Sequence, residues 1–348
     1  MKVMLDSGAY SAWRKGETLD LDVYIQFLHD HKHLLDDYVS LDVIGDGEAS
    51  WQNFRIMKEA GLDPMPVYHA ASPIKYLAKY LADSDYVGIG ALTELSTSVR
   101  IKNLDMIWSD FLTDDDGMPI AKFHGMGFTT TELIMRYPWW SVDSSTWLTT
   151  SRMGIILTPR CVDGRFDYKK APVRIEISSR SPHKKEDFGH YETLSPMERE
   201  RVTAYFESCG FEIGESTWED DEETKVKEGL CNNFYLRDKL NSRYFIAVMI
   251  NLDPWPFSFT IPQSYDLFAP PPKPVSMIKS GGTDTMKLYS AGVGVRNNEI
   301  NALYNEHNIE WLRMVSYYHK SEYRNVFKEK EAENATNTAG AKGHTNSP

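Results

Sequence analysis

Short apolar runs recur along the first half of the chain, and each stops at a polar or small residue. They fall at positions 3–5, 38–41, 65–68, 86–89, 120–123, 140–142 and 154–157. Runs of this length predict strands buried on both faces. The segments between them carry apolar residues at three- and four-residue spacing. Tyr24, Phe27 and Leu28 form one stripe, and Trp51, Phe54 and Met57 a second. Ile74, Leu77, Ala78 and Leu81 form a third, and Leu104, Ile107, Trp108 and Phe111 a fourth. That spacing is one face of a helix. Strand and helix in alternation predict βαβ units and a parallel sheet. Seven candidate strands by residue 157 predict an α/β chain of (β/α)8 TIM-barrel-like form rather than an open doubly wound sheet. Neither a GxGxxG nor a GxxxxGK[ST] loop is present, which disfavours the dinucleotide and P-loop versions.

The eighth strand is less plain. Its best candidate is 243–252, Arg-Tyr-Phe-Ile-Ala-Val-Met-Ile-Asn-Leu. That choice makes residues 160–240 an elaboration within a single domain spanning 1–328. The acidic stretch 215–228 reads as a surface loop or helix, and 297–320 as a helix pair. Pro270, Pro271, Pro272 and Pro274 mark a stiff connector, and residues 280–284 a loop. Residues 329–348 show no apolar face and predict a disordered tail.

Composition narrows the function classes. Of 348 residues, 41% are hydrophobic, which suffices for a large core and excludes global disorder. No apolar stretch approaches the roughly 20 residues of a membrane span, so no membrane partner is expected. A strand begins at residue 3, which leaves no room for a signal peptide. Cys161, Cys209 and Cys231 form no CxxC pair, so neither a disulfide framework nor a cysteine-rich zinc site is indicated. A reducing cytoplasm fits that usage. His29, His31 and His33 alternate on a helical segment, where only His29 and His33 share a face. No metal and no cofactor are expected. Net charge is −12, yet residues 152–185 hold nine basic residues against three acidic ones. They include Arg152, Arg160, Arg165, Lys169, Lys170, Lys184 and Lys185. An ordinary solvated face gives such a stretch, and so does a local polyanion footprint.

The residues that end the expected strands form a set: Asp6, Asp42, His69, Gly90, His124, Gly125 and Asp143. In a parallel barrel those positions make the catalytic rim. A single strand-end Asp is commonly a helix cap. Two carboxylates on one rim suit chemistry at an anomeric carbon, where one attacks and the other moves protons. Gly88, Gly90, Gly125 and Gly127 would let a flat ring approach backbone. Tyr10 or Tyr68 would offer it a stacking face.

Five of these segments together resemble the tRNA-guanine transglycosylase family. Asp6-Ser7-Gly8-Ala9-Tyr10 is similar to its Asp-Ser-Gly-Gly-Phe motif. Residues 87–92, Val-Gly-Ile-Gly-Ala-Leu, resemble its Ile-Gly-Gly-Leu segment, and Phe123-His124-Gly125-Met126-Gly127 its Leu-Met-Gly-Val-Gly segment. Ser141-Val142-Asp143-Ser144 falls where that family has its nucleophile, and Asp42 where it reads the base. His69 stands in place of a glutamine that touches the base. The order holds across residues 1–150, and nothing beyond about residue 160 resembles the family.

The resemblance implies base exchange. Asp143 attacks C1′ of a guanosine, guanine leaves, and a 7-deazaguanine base enters the same pocket. Asp6 is then the general acid/base. Ser7, Gly8, Tyr10, Asp42, His69, Gly90, His124 and Gly125 bind substrate, and the target base flips from its stack. The chain departs from the tRNA enzymes in lacking the Cys₃His zinc spacing and the Pro-Thr-Arg stretch after the nucleophile. It is nearer to the zinc-free phage and bacterial relatives that act on DNA. DNA is therefore expected over tRNA, held by the basic stretch, in the cytoplasm or in a host's cytoplasm if phage-encoded. A homodimer or a partner subunit is compatible with the sequence. Two other readings stay open: a non-catalytic partner subunit that keeps the fold, and a barrel glycoside hydrolase using the same two carboxylates.

Overall fold

The structure, a computed structural model, describes residues 1–90, 92, 95–128, 130–182, 189–220, 222–260, 284–291 and 297–342. The chain opens with β1 (Lys2–Asp6), α1 (Ala9–Arg14), α2 (Leu21–His31), β2 (Asp37–Tyr38), α3 (Gly47–Glu59) and β3 (Val67–His69). It continues with α4 (Lys75–Asp83), β4 (Tyr86–Gly90), α5 (Thr97–Ile107), β5 (Lys122–Gly125), α6 (Thr131–Arg136), β6 (Ser141–Ser144) and α7 (Thr146–Arg152). An excursion follows: β7 (Ile155–Thr158), β8 (Arg160–Val162), β9 (Arg165–Asp167), β10 (Val173–Glu176), α8 (Pro196–Ser208), β11 (Glu215–Glu219) and β12 (Glu222–Lys227). The chain then returns through α9 (Phe234–Ile250), β13 (Lys287–Ala291), α10 (Asn297–Glu306), β14 (Leu312–Ser316) and α11 (Lys320–Lys342).

Eight strands make one curled parallel sheet in the order β2-β1-β14-β13-β6-β5-β4-β3. Its outer strands meet where Val39 bridges Met65 in parallel. The fold is therefore TIM-barrel-like, as the strand–helix alternation predicts. Helix starts follow local chemistry. Asp20 accepts from the Val23 N–H and Asp46 from the Ala49 N–H, filling donors that a first turn leaves open. Ser195 and Glu198 cap α8 reciprocally. On the sheet's inner face Met4, Val67, Tyr289 and Met314 form one apolar cluster. Outside it, Trp51, Phe54 and Tyr80 close the contact between α3 and α4, while Trp108, Phe123, Tyr137 and Trp139 stack beneath α5.

Four expectations are corrected. Residues 243–252 are not the eighth strand but fall largely within α9, whose last residue is Ile250. That helix buries Arg237, Asp238, Asn241 and Ser242 as well as apolar residues, so no stripe marks it as helical. Residues 154–157 do contain a strand, β7, but it pairs antiparallel with β10 outside the large sheet. Ile156, Ile175, Val202, Phe206 and Leu240 give that excursion a core of its own. The acidic stretch 215–228 is an antiparallel hairpin of β11 and β12, with Trp218 opposite Glu223. Residues 297–320 hold one helix and then β14, not two helices. The missing sheet members are β13 and β14, whose Lys287, Ser290 and Arg313 break the apolar runs that expose a strand in sequence.

The expected tail also differs. Residues 329–342 continue α11, because Val326 and Phe327 bury against α2 and Glu329 pairs with the fully buried Arg313 at 2.6 Å. Residues 343–348 lie outside the described residues, as do the proline-rich connector and most of the loop at 280–284. No described helix is long and apolar enough to cross a membrane.

Candidate active site

Side chains alternate across a strand, so every second residue shares a face. In β1 that places Asp6 on the face of Met4; in β6 it places Asp143 on the face of Ser141. His69 in β3, Gly90 in β4 and His124 in β5 take the corresponding inward positions, paired His69 with Gly90, Gly88 with His124, and His124 with Ser141. At the C-terminal rim of these strands lies a cavity of about 800 Å³, lined by Asp6, Tyr10, Asp42, His69, Gly90 and Asp143. Trp13, Arg100, Met126, Gly127, Ser145 and Met314 complete most of its wall.

Asp6 stands at the centre of the electrostatics. Burial, then the neighbouring Asp42 and Asp143 carboxylates, raise its carboxyl from about 3.8 to about 7; the Gly8 N–H opposes them weakly. Gly8 is fixed by geometry. Its φ is 76°, in the left-handed region, and an added Cβ would overlap Tyr318.

Asp143, 8% exposed, is held from one side. Its Oδ1 accepts from the Gly127 N–H at 2.5 Å and meets His124 Nε2 at 3.3 Å. Oδ2 has no hydrogen-bond partner among the described residues. His124 is fully buried, and its Nδ1 lies 2.6 Å from Ser141 Oγ, which lies 2.5 Å from the Tyr86 hydroxyl. A carboxylate only accepts, so Nε2 carries the proton and Nδ1 accepts from Ser141. Ser141 in turn accepts from Tyr86. Donation then runs one way, from Tyr86 through Ser141 and His124 to Asp143, with each group satisfied.

Asp42 has both oxygens engaged: Ser7 Oγ donates to Oδ1 at 3.1 Å, and His69 Nε2 lies 2.8 Å from Oδ2. Ser7 is fully buried and so supports Asp42 from behind the cavity. His124 and Gly125 likewise sit behind the wall. A Cβ at Gly125 would collide with the Phe128 ring, so packing alone requires that glycine. Gly90 does face the cavity, where a Cβ would approach Val67 Cγ1 at 3.1 Å. Of the expected substrate residues, Tyr10, Asp42, His69 and Gly90 line the cavity, while Ser7, Gly8, His124 and Gly125 shape it.

Trp13 and Arg100 are among the wall residues that escaped the sequence reading. Trp13 is 51% exposed, its ring centroid 5.9 Å from that of Tyr10. The spacing of Tyr10 and Trp13, three apart on α1, was the available signal. Arg100 brings a cation to the wall, its charged form disfavoured by burial. Nothing local in the sequence marks it.

The basic stretch does not gather at this cavity. Arg152 ends α7, a helix length or about 10 Å from its start near Asp143. Arg160 and Arg165 lie on the β8–β9 hairpin, whose Phe166 is 38% exposed. Lys169 pairs with Asp253 and Lys170 with Asp167. Lys184 and Lys185 lie outside the described residues. Among the described residues no three His, Cys, Asp or Glu side chains converge as metal ligands. Comparison with family models, curated proteins and solved structures finds no match to this chain.

Proposed function

We propose that this chain is a base-exchange transglycosylase on nucleic acid, replacing guanine by a 7-deazaguanine base, with DNA preferred to tRNA. One observation carries the reading: two carboxylates border one cavity in unlike surroundings. Asp6, held near 7, is available both protonated and ionised at neutral pH, which suits general acid/base work. Asp143 has one oxygen fixed by Gly127 and His124 and the other without a hydrogen-bond partner among the described residues, which suits a nucleophile.

In the first half-reaction Asp143 Oδ2 bonds to C1′ as the bond from C1′ to guanine breaks, and Asp6 protonates the departing base. In the second the incoming base gives its ring proton to Asp6 and displaces Asp143 from C1′. Both donors to Oδ1 stabilise the carboxylate as it leaves. The cavity volume suits a nucleoside. Tyr10 and Trp13 supply aromatic faces, and Asp42 keeps a second lone pair on each oxygen for a base edge. The preference for DNA rests on the missing Cys₃His spacing, which removes the zinc-bound segment of the tRNA enzymes.

Labelled guanine supplied with DNA or with tRNA tests the reading. Label should enter DNA with the wild type and fall by at least about a thousandfold with Asp143→Ala. Entry into tRNA alone would reverse the preference for DNA. Entry into neither, with guanine or with 7-deazaguanine bases, would refute base exchange.

A further inference from the structure

A second cavity, of about 830 Å³, lies at the N-terminus of α9. Asn232 and Phe234 from that terminus line it, together with Arg152, Arg180, Lys225 and Arg237. Four cations against two carboxylates, Glu176 and Glu223, is a local excess in a chain whose net charge is −12. Both carboxylates are already engaged. Glu223 takes Arg180 Nε at 2.6 Å and the Ser179 hydroxyl, and Glu176 takes the Ser181 hydroxyl at 2.5 Å. Arg152 and Lys225 are exposed and make no ion pair among the described residues.

Arg237 is the decisive residue. It is 6% exposed, yet it makes no ion pair among the described residues. Its Nε donates to the Ser151 carbonyl at 2.8 Å and Nη1 to the Leu230 carbonyl at 2.5 Å. Nη2 has no hydrogen-bond partner among the described residues and is not among the fully buried polar atoms, so it is open to the cavity. The two N–H groups on that nitrogen are therefore held, by a guanidinium otherwise anchored on carbonyls, facing a space where an anion could accept from them. Arg237 also covers the carbonyl end of α7, which would otherwise repel an anion. The 17-residue α9 turns its N-terminal end, the positive end of its dipole, toward the same space, with the Tyr235 N–H capped by Asn233 Oδ1 at 2.9 Å.

We propose that this cavity is a phosphate-binding site, formed by the α9 N-terminus, Arg237, Arg152, Lys225 and Arg180. The ligand is a phosphate group, carried by a nucleic-acid backbone or by a small phosphorylated compound. The site stands apart from the Asp6–Asp143 cavity and does not depend on the base-exchange reading.

Calorimetric titration of the full chain with inorganic phosphate tests this. Saturable one-to-one binding is expected, and the double variant Arg152→Glu, Lys225→Glu, both at exposed positions, should weaken it at least about tenfold. A second titration uses a single-stranded oligodeoxynucleotide without terminal phosphates. If inorganic phosphate displaces it, the backbone is the source. If phosphate binds and the oligonucleotide does not compete, a small phosphorylated compound is. No saturable phosphate binding, or equal binding by the double variant, would overturn the site. Since the readout is binding alone, a chain inactive in base exchange would leave the proposal standing.

Discussion

At the scale of single residues, Asp6 is a carboxyl whose surroundings oppose its charge. Its pH signature follows from linkage. Between about 3.8 and about 7 the native chain holds a proton on Asp6 that the unfolded chain has released. Stability contributed by Asp6 therefore falls as pH rises through that window and levels off above it. Asp6→Asn removes the dependence, so the variant should gain on the wild type from pH 5 to pH 8, on the order of 2 kcal/mol. Base exchange should be lost at the same time, a trade expected where catalysis keeps an uncomfortable charge. Urea unfolding of both proteins at the two pH values measures it, and an equal difference at both would show that Asp6 does not titrate near neutrality. Asp6 and Asp143 were legible in sequence because each ends a short apolar run and precedes small residues. The roles of His124, Ser141 and Tyr86 were not, because their chain of hydrogen bonds joins three strands that lie far apart in sequence.

At the scale of elements, six strands of the large sheet and the helices α2 to α5 follow from periodicity, since each βαβ unit buries its apolar face locally, while the short α1, α6 and α7 carry too few turns to show a stripe. The signal fails where an element is buried on all sides. In α9, Asn241 joins three elements: its Oδ1 accepts the Leu157 N–H of β7 at 2.8 Å, and its Nδ2 reaches Thr150 Oγ1 of α7 at 3.0 Å. A polar residue inside an apolar run reads as strand alternation or as exposure, and here it is neither. Asn241→Leu should cost about 2–4 kcal/mol, because it leaves a buried backbone N–H of β7 unmatched as well as losing its own bonds. A shift in the urea midpoint with an unchanged slope would report it. A loss below about 0.5 kcal/mol would mean that Asn241 is not the tie between α7, β7 and α9.

At the scale of the whole molecule, the excursion from β7 to β12 postpones the last two strands of the sheet to residues 287–316, beyond the reach of a pattern read from the first half. The charge in β14 is explained by what covers it: α11 returns Glu329 to Arg313, and the Lys330 ammonium reaches the Met1 carbonyl and Asp36, so Arg313 sits under a helix rather than in solvent. Glu329 and Lys330, at the start of the segment that reads as a featureless tail, thus help to cover the sheet. What this architecture does for chemistry is to bring Asp6 from the first strand and Asp143 from the sixth to one cavity with unlike surroundings. The central claim is that Asp143 attacks C1′. Denaturing mass spectrometry of the wild type, quenched after incubation with guanine-containing DNA, should show a covalent nucleic-acid adduct on the peptide carrying Asp143, and Asp143→Ala should show none. An adduct of equal abundance in that variant, or one that maps to Asp6, would contradict the account.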